Sequence, residues 1–591
     1  MRGQPSPERS ALGCLAGPQG RAGRRFCTPL QGALAATLAA AIVWMGAAKA
    51  APASGAGAPG GPETVDDLAI VHILNRIGYG PGPGDISKVR DTGIEAHIDR
   101  QLHPERIDDA AVEERLARLA TLNLSSQELA ERYELPALAE RRARRQEAAK
   151  DPDGGNPPAP MVNPAARQQA NLPLIELSEQ KLLRAVYSER QLQEVLADFW
   201  FNHFNVDTRK GPVRIMATEY EREAIRPHVL GRFRDLLGAT AKSPAMLFYL
   251  DNWMSADPKG PNLGARRGLA RRGAIGGGGR GRLPFPPIGQ RPSQQDQRNA
   301  PRGLNENYGR ELLELHTLGV DGGYTQKDVT EVARAFTGWT IDRPRLGGGF
   351  RFDPRMHDDG EKIVLGHRIK GGGGIEDGER VLDILAAHPS TARFVSTKLA
   401  RRFVSDTPPQ ALVDRMAARF AATSGNLSEV MKLLLTSPEF RSPDVYRAKV
   451  KTPFEFMVSS VRATGLDLTD ARPLVRAVQQ LGMPLYQCQP PTGYKDTADA
   501  WVNAGALVNR MNVALTLARG ELPFTAPGRE ARAGDGRLVP VGRPSGIDSA
   551  RLIDEALGGS LSDVTRTTIA RAAMPAQAIA LTLGSPEFQR R

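Results

Sequence analysis

Cysteine and aromatic residues are both scarce in this sequence. Only three cysteines occur among 591 residues, and Cys488 alone lies beyond the first 50. A chain cleaved near residue 50 can therefore form no internal disulfide, and a cysteine-rich zinc site is excluded. Aromatic residues make up 6% of the chain, which disfavours an all-β sandwich or barrel. With 40% hydrophobic and 24% charged residues, the chain can still bury a sizeable core.

The first 50 residues have the pattern of an export signal. Arg24 and Arg25 precede an apolar stretch over 33–48, and a small-x-small cleavage pattern ends at Ala50. The stretch is shorter than a membrane-spanning helix, which needs about 20 residues. We therefore predict a signal peptide over 1–50, a periplasmic or secreted mature protein, and no transmembrane span after cleavage. An uncleaved N-terminal anchor is the alternative, and the export route stays open.

Positive charge is concentrated rather than spread along the chain. The net charge is +12, and residues 255–304 contain ten basic and two acidic residues. The rest of the mature chain is close to neutral, so the charge pattern does not support a nucleic-acid-binding surface. Glycine tetrads, arginine pairs and prolines fill 255–304, and such composition cannot bury enough apolar area to fold. We predict that this segment is a disordered insertion.

Helical periodicity dominates the remaining sequence and predicts a mainly α fold, a multi-helix single large domain. A flexible linker over 51–63 precedes a helical domain over 64–520, which carries the insertion. A second Gly/Pro/Arg-rich linker covers 523–547, and a C-terminal helical segment covers 548–591. A few short strands or extended loops are expected near 340–370, where aromatic and β-branched residues gather.

The first candidate site lies in the segment from Asp198 to Val206. His203 falls on the apolar stripe of a predicted helix, and Asn202 stands beside it. A histidine on an apolar stripe needs a hydrogen-bond partner, because its unpaired burial costs about 1–3 kcal/mol. We predict His203 as a catalytic group and Asn202 as a ligand-binding one. A structural, hydrogen-bonded core histidine is the alternative.

A second candidate is the helix that begins at Asn305. At 100° per residue, Arg310, Glu311 and Glu314 share one face, and the two carboxylates could converge on a divalent metal. We take Glu311, Glu314 and His316 as candidate metal ligands and Glu311 also as catalytic, although His316 falls on the opposite, leucine-rich face. The alternative is an Arg310–Glu314 surface pair, worth only about 0.3–0.5 kcal/mol.

Further candidates lie at the start of that helix and in a later loop. Asn305, Asn307 and Arg310 are predicted to bind a ligand. His357 and Asp358, in a polar loop, are predicted acid–base groups, and a solvated turn would account for them equally well. We expect the His203 segment and the helix from Asn305 to face each other across one polar pocket, which the His357 loop closes.

Several of these segments together resemble a known family. They are FWFNHFNV around His203, the stretch from Asn305 to Trp339, His357-Asp358, and PPTGY over 490–494. The chain resembles the domain of unknown function 1800 family, although Gly309 stands where that pattern usually has alanine. The resemblance implies a secreted, mainly α-helical protein, often encoded beside a secreted sulfatase-like protein that is a candidate partner. It implies no established activity or cofactor.

Two classes of function remain open from the sequence. One is an exported enzyme, a metal-assisted hydrolase built on the candidates above, with a divalent metal as its cofactor. The other is a non-catalytic secreted or periplasmic module that binds a partner protein or a surface glycan. The sequence has no nucleophile elbow, phosphate-binding loop, dinucleotide fingerprint or zinc motif. The two classes differ in whether the candidate side chains converge in one cleft.

Overall fold

The computed structural model describes residues 67–148, 164–260, 303–524, 537–540, 542–543 and 549–591. The predicted signal peptide, the linker over 51–63, most of the insertion and most of the second linker lie outside these residues. From Gly61 to Arg591 the chain forms one compact unit. Its buried apolar side chains form a continuous core that extends from Ile73 to Phe588.

Helices build the described part of the chain, as the sequence predicts. Before the insertion the α-helices are Asp67–Ile77, Asp85–Thr92, Ile94–Leu102, Ala110–Leu116, Ser126–Leu129, Leu135–Ala148, Pro164–Tyr187, Gln191–His203, Val213–Glu219, Phe233–Lys242 and Pro244–Tyr249. After it they are Glu306–Glu311, Gln326–Ala335, Ile375–Ala387, Pro389–Phe403, Gln410–Ala422, Leu427–Leu435, Pro438–Arg441, Pro453–Thr464, Arg472–Gln480, Ala504–Leu517, Ser549–Leu557, Asp563–Ala570, Pro575–Leu583 and Pro586–Gln589. None of the helices in the described ranges is long and apolar enough to cross a membrane.

The strands are short and form antiparallel pairs. Trp339–Ile341 pairs with Phe350–Phe352, and Lys362–Val364 pairs with His367–Ile369. These two hairpins lie where the sequence predicts short strands. Two further pairs join Asp467–Leu468 to Gly542–Arg543 and Glu521–Phe524 to Arg537–Pro540, and the sequence analysis does not anticipate them.

The helix that begins at Asn305 changes its winding midway. Glu306–Glu311 is α-helical, and the chain continues as a π-helix over Leu312–Thr317. A Cβ at Gly309 would lie 2.8 Å from the carbonyl oxygen of Val329, so the glycine permits close packing against the helix Gln326–Ala335. That packing accounts for the glycine at this position.

Candidate functional site

A cleft of about 330 Å³ opens beside the C-terminal end of the helix Gln191–His203. Two helices and one loop supply most of its walls. The lining side chains are Asp198, Phe199, Asn202, His203, Lys398, Arg401, Arg402, Thr452, Met483, Thr492, Tyr494, Lys495, Asp496 and Thr497. Of the residues singled out from the sequence as site candidates, only Asn202 and His203 lie on this cleft.

His203 forms the floor of the cleft and is 2% exposed. Its Nε2 donates to the backbone oxygen of His316 at 3.1 Å, which leaves Nδ1 as the acceptor. Burial, aided by Lys398, lowers the pKa of His203 well below its usual value, so the ring is neutral. The partner of His203 does come from the helix that begins at Asn305, as predicted, but it is a backbone carbonyl and not a carboxylate.

Lys398 occupies the position opposite His203. Its Nζ donates to Nδ1 of His203 at 2.8 Å. The centre of the Phe394 ring lies 5.5 Å from the Lys398 Nζ. No carboxylate in the described residues forms an ion pair with Lys398. Burial and then Arg401 lower the pKa of this lysine to about 8. Asp496, which lines the same cleft, opposes this shift, but no carboxylate of the described residues forms a direct ion pair with the Lys398 ammonium group.

Positive charge exceeds negative charge at this cleft. Arg401 donates to the backbone oxygen of Asp406 and, within the described ranges, forms no ion pair. Two acidic residues also line the cleft. Asp198 pairs with Lys181 at 2.6 Å. Asp496 lies 3.8 Å from Arg402 and 3.4 Å from Lys449, and one of its carboxylate oxygens has no hydrogen-bond partner in the described structure. A bound anion would meet Lys398 and Arg401 without first displacing a carboxylate.

Asn202 acts chiefly by holding the loop over 490–494. Its side chain accepts from the backbone nitrogen of Tyr494 at 2.7 Å and donates to the backbone oxygen of Tyr494 at 2.8 Å. Asn205 donates to the carbonyl oxygens of Cys488 and Pro490. These bonds place Thr492 and Tyr494 on the cleft, so the predicted ligand-binding residue shapes the wall as well as lining it.

The same loop separates His203 from the polar face of the helix that begins at Asn305. Asn307 and Glu311 line a different, open groove of about 630 Å³, together with Gln489 and Pro491. Thr492 and Tyr494 line the His203 cleft instead. The residues of the expected shared pocket therefore line two different openings, with Asn202 and His203 on the cleft and Asn307 and Glu311 on the groove.

The predicted metal ligands are not gathered at one point. Within the described residues there is no group of three or more His, Cys, Asp or Glu that could hold a metal ion. Glu314 accepts from the hydroxyl of Tyr324 at 3.0 Å, whereas the His316 ring packs 5.1 Å from that of Phe204. The cause is the helix geometry, which places His316 on the buried face and Glu311 and Glu314 on the other.

His357 and Asp358 lie apart from the cleft. His357 is buried. Its Nδ1 donates to the backbone oxygen of Thr337 at 2.8 Å, and its Nε2 lies 3.2 Å from a carboxylate oxygen of Asp377. Asp358 accepts from Arg334 at 2.8 and 3.0 Å. These contacts attach the loop after the first hairpin to the helix Gln326–Ala335, rather than closing a pocket over His203.

The remaining candidates serve the helix that carries them. The side chain of Asn305 caps that helix by accepting from the backbone nitrogen of Tyr308 and donates to the backbone oxygen of Leu250. Arg310 donates to the side chain of Gln326 at 2.6 Å, and the described residues show no Arg310–Glu314 pair, which was the alternative to a metal site. Of this group only Asn307 lines a groove.

Lys398 is the functional residue that the sequence analysis missed. The chain has no acidic residue between Asp383 and Asp406, although Lys398, Arg401 and Arg402 lie there. These cations cannot form pairs along their own helix, so their partners must come from elsewhere. That local lack of carboxylates is the signal that could have revealed the cleft.

The fold and the cleft define a mainly helical, single-domain protein with a cationic pocket. The chain belongs to the family described as Protein of unknown function (DUF1800), whose model matches residues 72–590. This confirms the resemblance found in the sequence, and the match includes the C-terminal helices. No curated protein matches the chain, and no solved structure does so. The family leaves the activity open.

Proposed function

We propose that this chain is an exported binding protein that takes up an acidic sugar, or the acidic unit of a surface glycan, in the His203–Lys398 cleft. The observation that carries the proposal is the Lys398 ammonium group, which donates to neutral His203 and has no carboxylate partner among the described residues. An anionic group on the ligand would supply the missing counterion. The sulfatase-like partner implied by the family pattern is compatible with a sulfated glycan as ligand.

The other cleft walls suit a sugar ring. Thr492, Tyr494 and Thr497 line the cleft as polar residues, and Phe199 lines it as an aromatic one. The Tyr494 hydroxyl donates to the backbone oxygen of Pro484 and the Thr497 hydroxyl to Asp499, so a sugar hydroxyl would donate to them. A volume of about 330 Å³ falls within the usual range for small-molecule pockets. Polar side chains that fix orientation beside an apolar surface are typical of such sites.

Binding of glucuronate, with glucose as its neutral counterpart, tests the ligand class by isothermal titration calorimetry. We expect glucuronate to bind and glucose to bind at least about tenfold more weakly, because the ammonium contact contributes about 1.5–3 kcal/mol. Lys398→Met should remove this preference. Lys432→Met removes an equal charge from an exposed helix position and should leave it unchanged. Equal binding of both sugars would overturn the proposal.

Acid–base catalysis is a second candidate, and the specific observation for it is the pKa of Lys398, lowered to about 8. A lysine that titrates near neutral pH can donate and accept a proton at a working rate. Turnover of an acidic glycan would then show a pH-dependent limb near 8 that disappears in Lys398→Arg. This activity would need no metal, unlike the hydrolase expected from the sequence.

Export is tested separately from binding. The small-x-small pattern ending at Ala50 predicts a mature chain that begins near Ala51. Intact mass spectrometry of protein recovered from the periplasm or medium should give that start. Exported protein that still carries Met1 would contradict it.

A further inference from the structure

A second cavity, of about 240 Å³, lies between the N-terminal and C-terminal parts of the domain. The helix Asp67–Ile77 forms one wall, the segment around Lys451 forms another, and the last residues of the chain close it. Its lining shares no residue with the His203 cleft. Lys451 lines this cavity, whereas its neighbour Thr452 lines the cleft.

Buried positive charge around this cavity is poorly compensated. Two buried cationic residues, Lys451 and Arg591, line the cavity itself. They belong to a set of six cationic side chains that are each at most 4% exposed: Arg76, Arg402, Lys449, Lys451, Arg510 and Arg591. Three carboxylates face them. Glu455 is buried and is shared by Arg402 and Arg591, while Asp406 and Asp496 are partly exposed. Buried charges that lack a partner are energetically unfavourable, so a bound anion would be strongly favoured here.

Lys451 is the least compensated of these groups. It is 3% exposed, and in the described chain its Nζ has neither a hydrogen-bond acceptor nor an ion-pair partner. The ring of Phe588 lies 4.1 Å away. Burial lowers the pKa of Lys451 to about 7, against the opposing effect of Glu455.

The other lining groups favour a small oxyanion that also carries a hydroxyl. Arg590 is partly exposed and Arg591 is buried, and both line the cavity. The one acidic lining residue, Glu587, is occupied by the backbone of Ser562 and the hydroxyl of Thr565. His72 donates from Nε2 to the backbone oxygen of Phe440, and its Nδ1 has no partner in the described structure, so it can accept from a ligand hydroxyl.

We propose that this cavity is a phosphate-binding site, in which Lys451, Arg590 and Arg591 bind the anionic oxygens and His72 accepts from the hydroxyl. A phosphate group bound there would join the first helix of the domain to its C-terminal segment. Free inorganic phosphate and the phosphate group of a small metabolite share this chemistry. Inorganic phosphate alone tests the site, and a phosphorylated sugar that binds more tightly would identify the larger ligand.

The test is calorimetric titration of the full mature chain with inorganic phosphate at constant ionic strength. We expect saturable binding, together with a rise in melting temperature that increases with phosphate concentration. Lys451→Met should weaken binding at least about tenfold, because one charged contact is lost. Lys432→Met should leave phosphate binding unchanged. Phosphate binding that is lost in Lys398→Met but kept in Lys451→Met would place the anion in the His203 cleft and overturn this site.

A second variant keeps the test informative if Lys451→Met fails to fold. Arg590→Gln changes a partly exposed side chain that also lines the cavity, and it should weaken phosphate binding in a chain that folds normally. Sulfate, which has no hydroxyl at neutral pH, should bind more weakly than phosphate. Unaltered phosphate binding in Arg590→Gln, or no saturable binding in the unmodified chain, would overturn the site.

Discussion

Buried histidines are the residues whose ionisation most affects this fold. His72, His203 and His316 are each at most 4% exposed, and burial lowers the pKa of His72 and of His316 to about 3. In the unfolded chain a histidine titrates near 6.5. Below that pH the unfolded chain binds more protons than the folded one, so the free energy of unfolding falls as the pH falls towards 3.

His316 gives the clearest test of this effect, because its Nε2 has no partner within the described structure. His316→Phe keeps an aromatic ring against Phe204 and removes the titrating group. We expect the free energy of unfolding to fall less steeply between pH 6.5 and 4.5 than in the unmodified chain, by up to about 1.4 kcal/mol per pH unit. Denaturant titrations across that range measure it.

His367→Phe is the matched control for this prediction, since His367 is exposed on the second hairpin. Its pH dependence should follow that of the unmodified chain. If His316→Phe and the unmodified chain lose stability in parallel over this range, His316 is not the neutral buried group described above.

At the scale of elements, local sequence patterns predict most helices well. Within the helical domain predicted over 64–520, amphipathic stretches form helices such as Ile375–Ala387 and Pro389–Phe403. Periodicity and caps act within a few residues, so they are visible in the sequence. The strand pair joining Glu521–Phe524 to Arg537–Pro540 was not predicted, since its two strands are too short to show a pattern of their own.

The loop over 490–494 shows why the site could not be predicted as a whole. The sequence indicated His203, Asn202 and the PPTGY motif separately, but not that the loop would lie against Asn202 and separate His203 from Glu311. Gly493 has φ +72°, and a Cβ there would lie 2.2 Å from the backbone oxygen of Asn202. Such contacts between distant segments depend on the whole fold.

Gly493→Ala should displace this loop. A left-handed conformation costs a residue with a side chain about 1–2 kcal/mol, and here the clash with Asn202 adds to that cost. Gly372→Ala is a matched control, because Gly372 has φ +81° and nothing within 4 Å of the added Cβ. Chemical denaturation should show a loss at least about 1 kcal/mol larger for Gly493→Ala.

Ligand binding gives a second measure of the same change. Gly493→Ala should also weaken glucuronate binding, since Thr492 and Tyr494 line the cleft, whereas Gly372→Ala should not. Equal losses of stability in the two variants would show that the loop does not pack against Asn202 as described.

At the scale of the whole molecule, an ion cluster joins the end of the described chain to its centre. Arg591 lies 3.0 Å from Glu455, and its backbone pairs with that of Lys449. Leu552, Leu583 and Phe588 belong to the same core as Ile73. The final helices therefore stabilise the domain directly, and we expect the described unit to unfold in one transition.

Glu455→Gln tests this connection. Removing one partner of a buried ion pair leaves an uncompensated charge, so the free energy of unfolding at pH 7 should fall by about 3–5 kcal/mol. Despite burial, Arg402 and Arg591 lower the pKa of Glu455 to about 2. Its contribution is therefore present above about pH 4.3 and is lost as the pH falls towards 2.

Glu114→Gln, at an exposed helix position, is the control and should change stability by less than about 0.5 kcal/mol. Urea denaturation at pH 7 and at pH 3 separates the two variants, because the difference between Glu455→Gln and the unmodified chain should shrink at the lower pH. A Glu455→Gln variant as stable as the control would show that the cluster does not join the segments.

The central claim is that Lys398 is a cation of the cleft with no direct ion-pair partner among the described residues, and its own titration tests this most directly. In a chain labelled with carbon-13 at lysine Cε, the Lys398 resonance is assigned by its loss in Lys398→Arg. Lys449→Arg and Lys451→Arg identify the two other described lysines whose pKa is lowered. The structure predicts that Lys398 titrates near pH 8 in the free protein and at higher pH once an acidic sugar is bound. Titration near its usual 10.4, unchanged by glucuronate, would contradict the account.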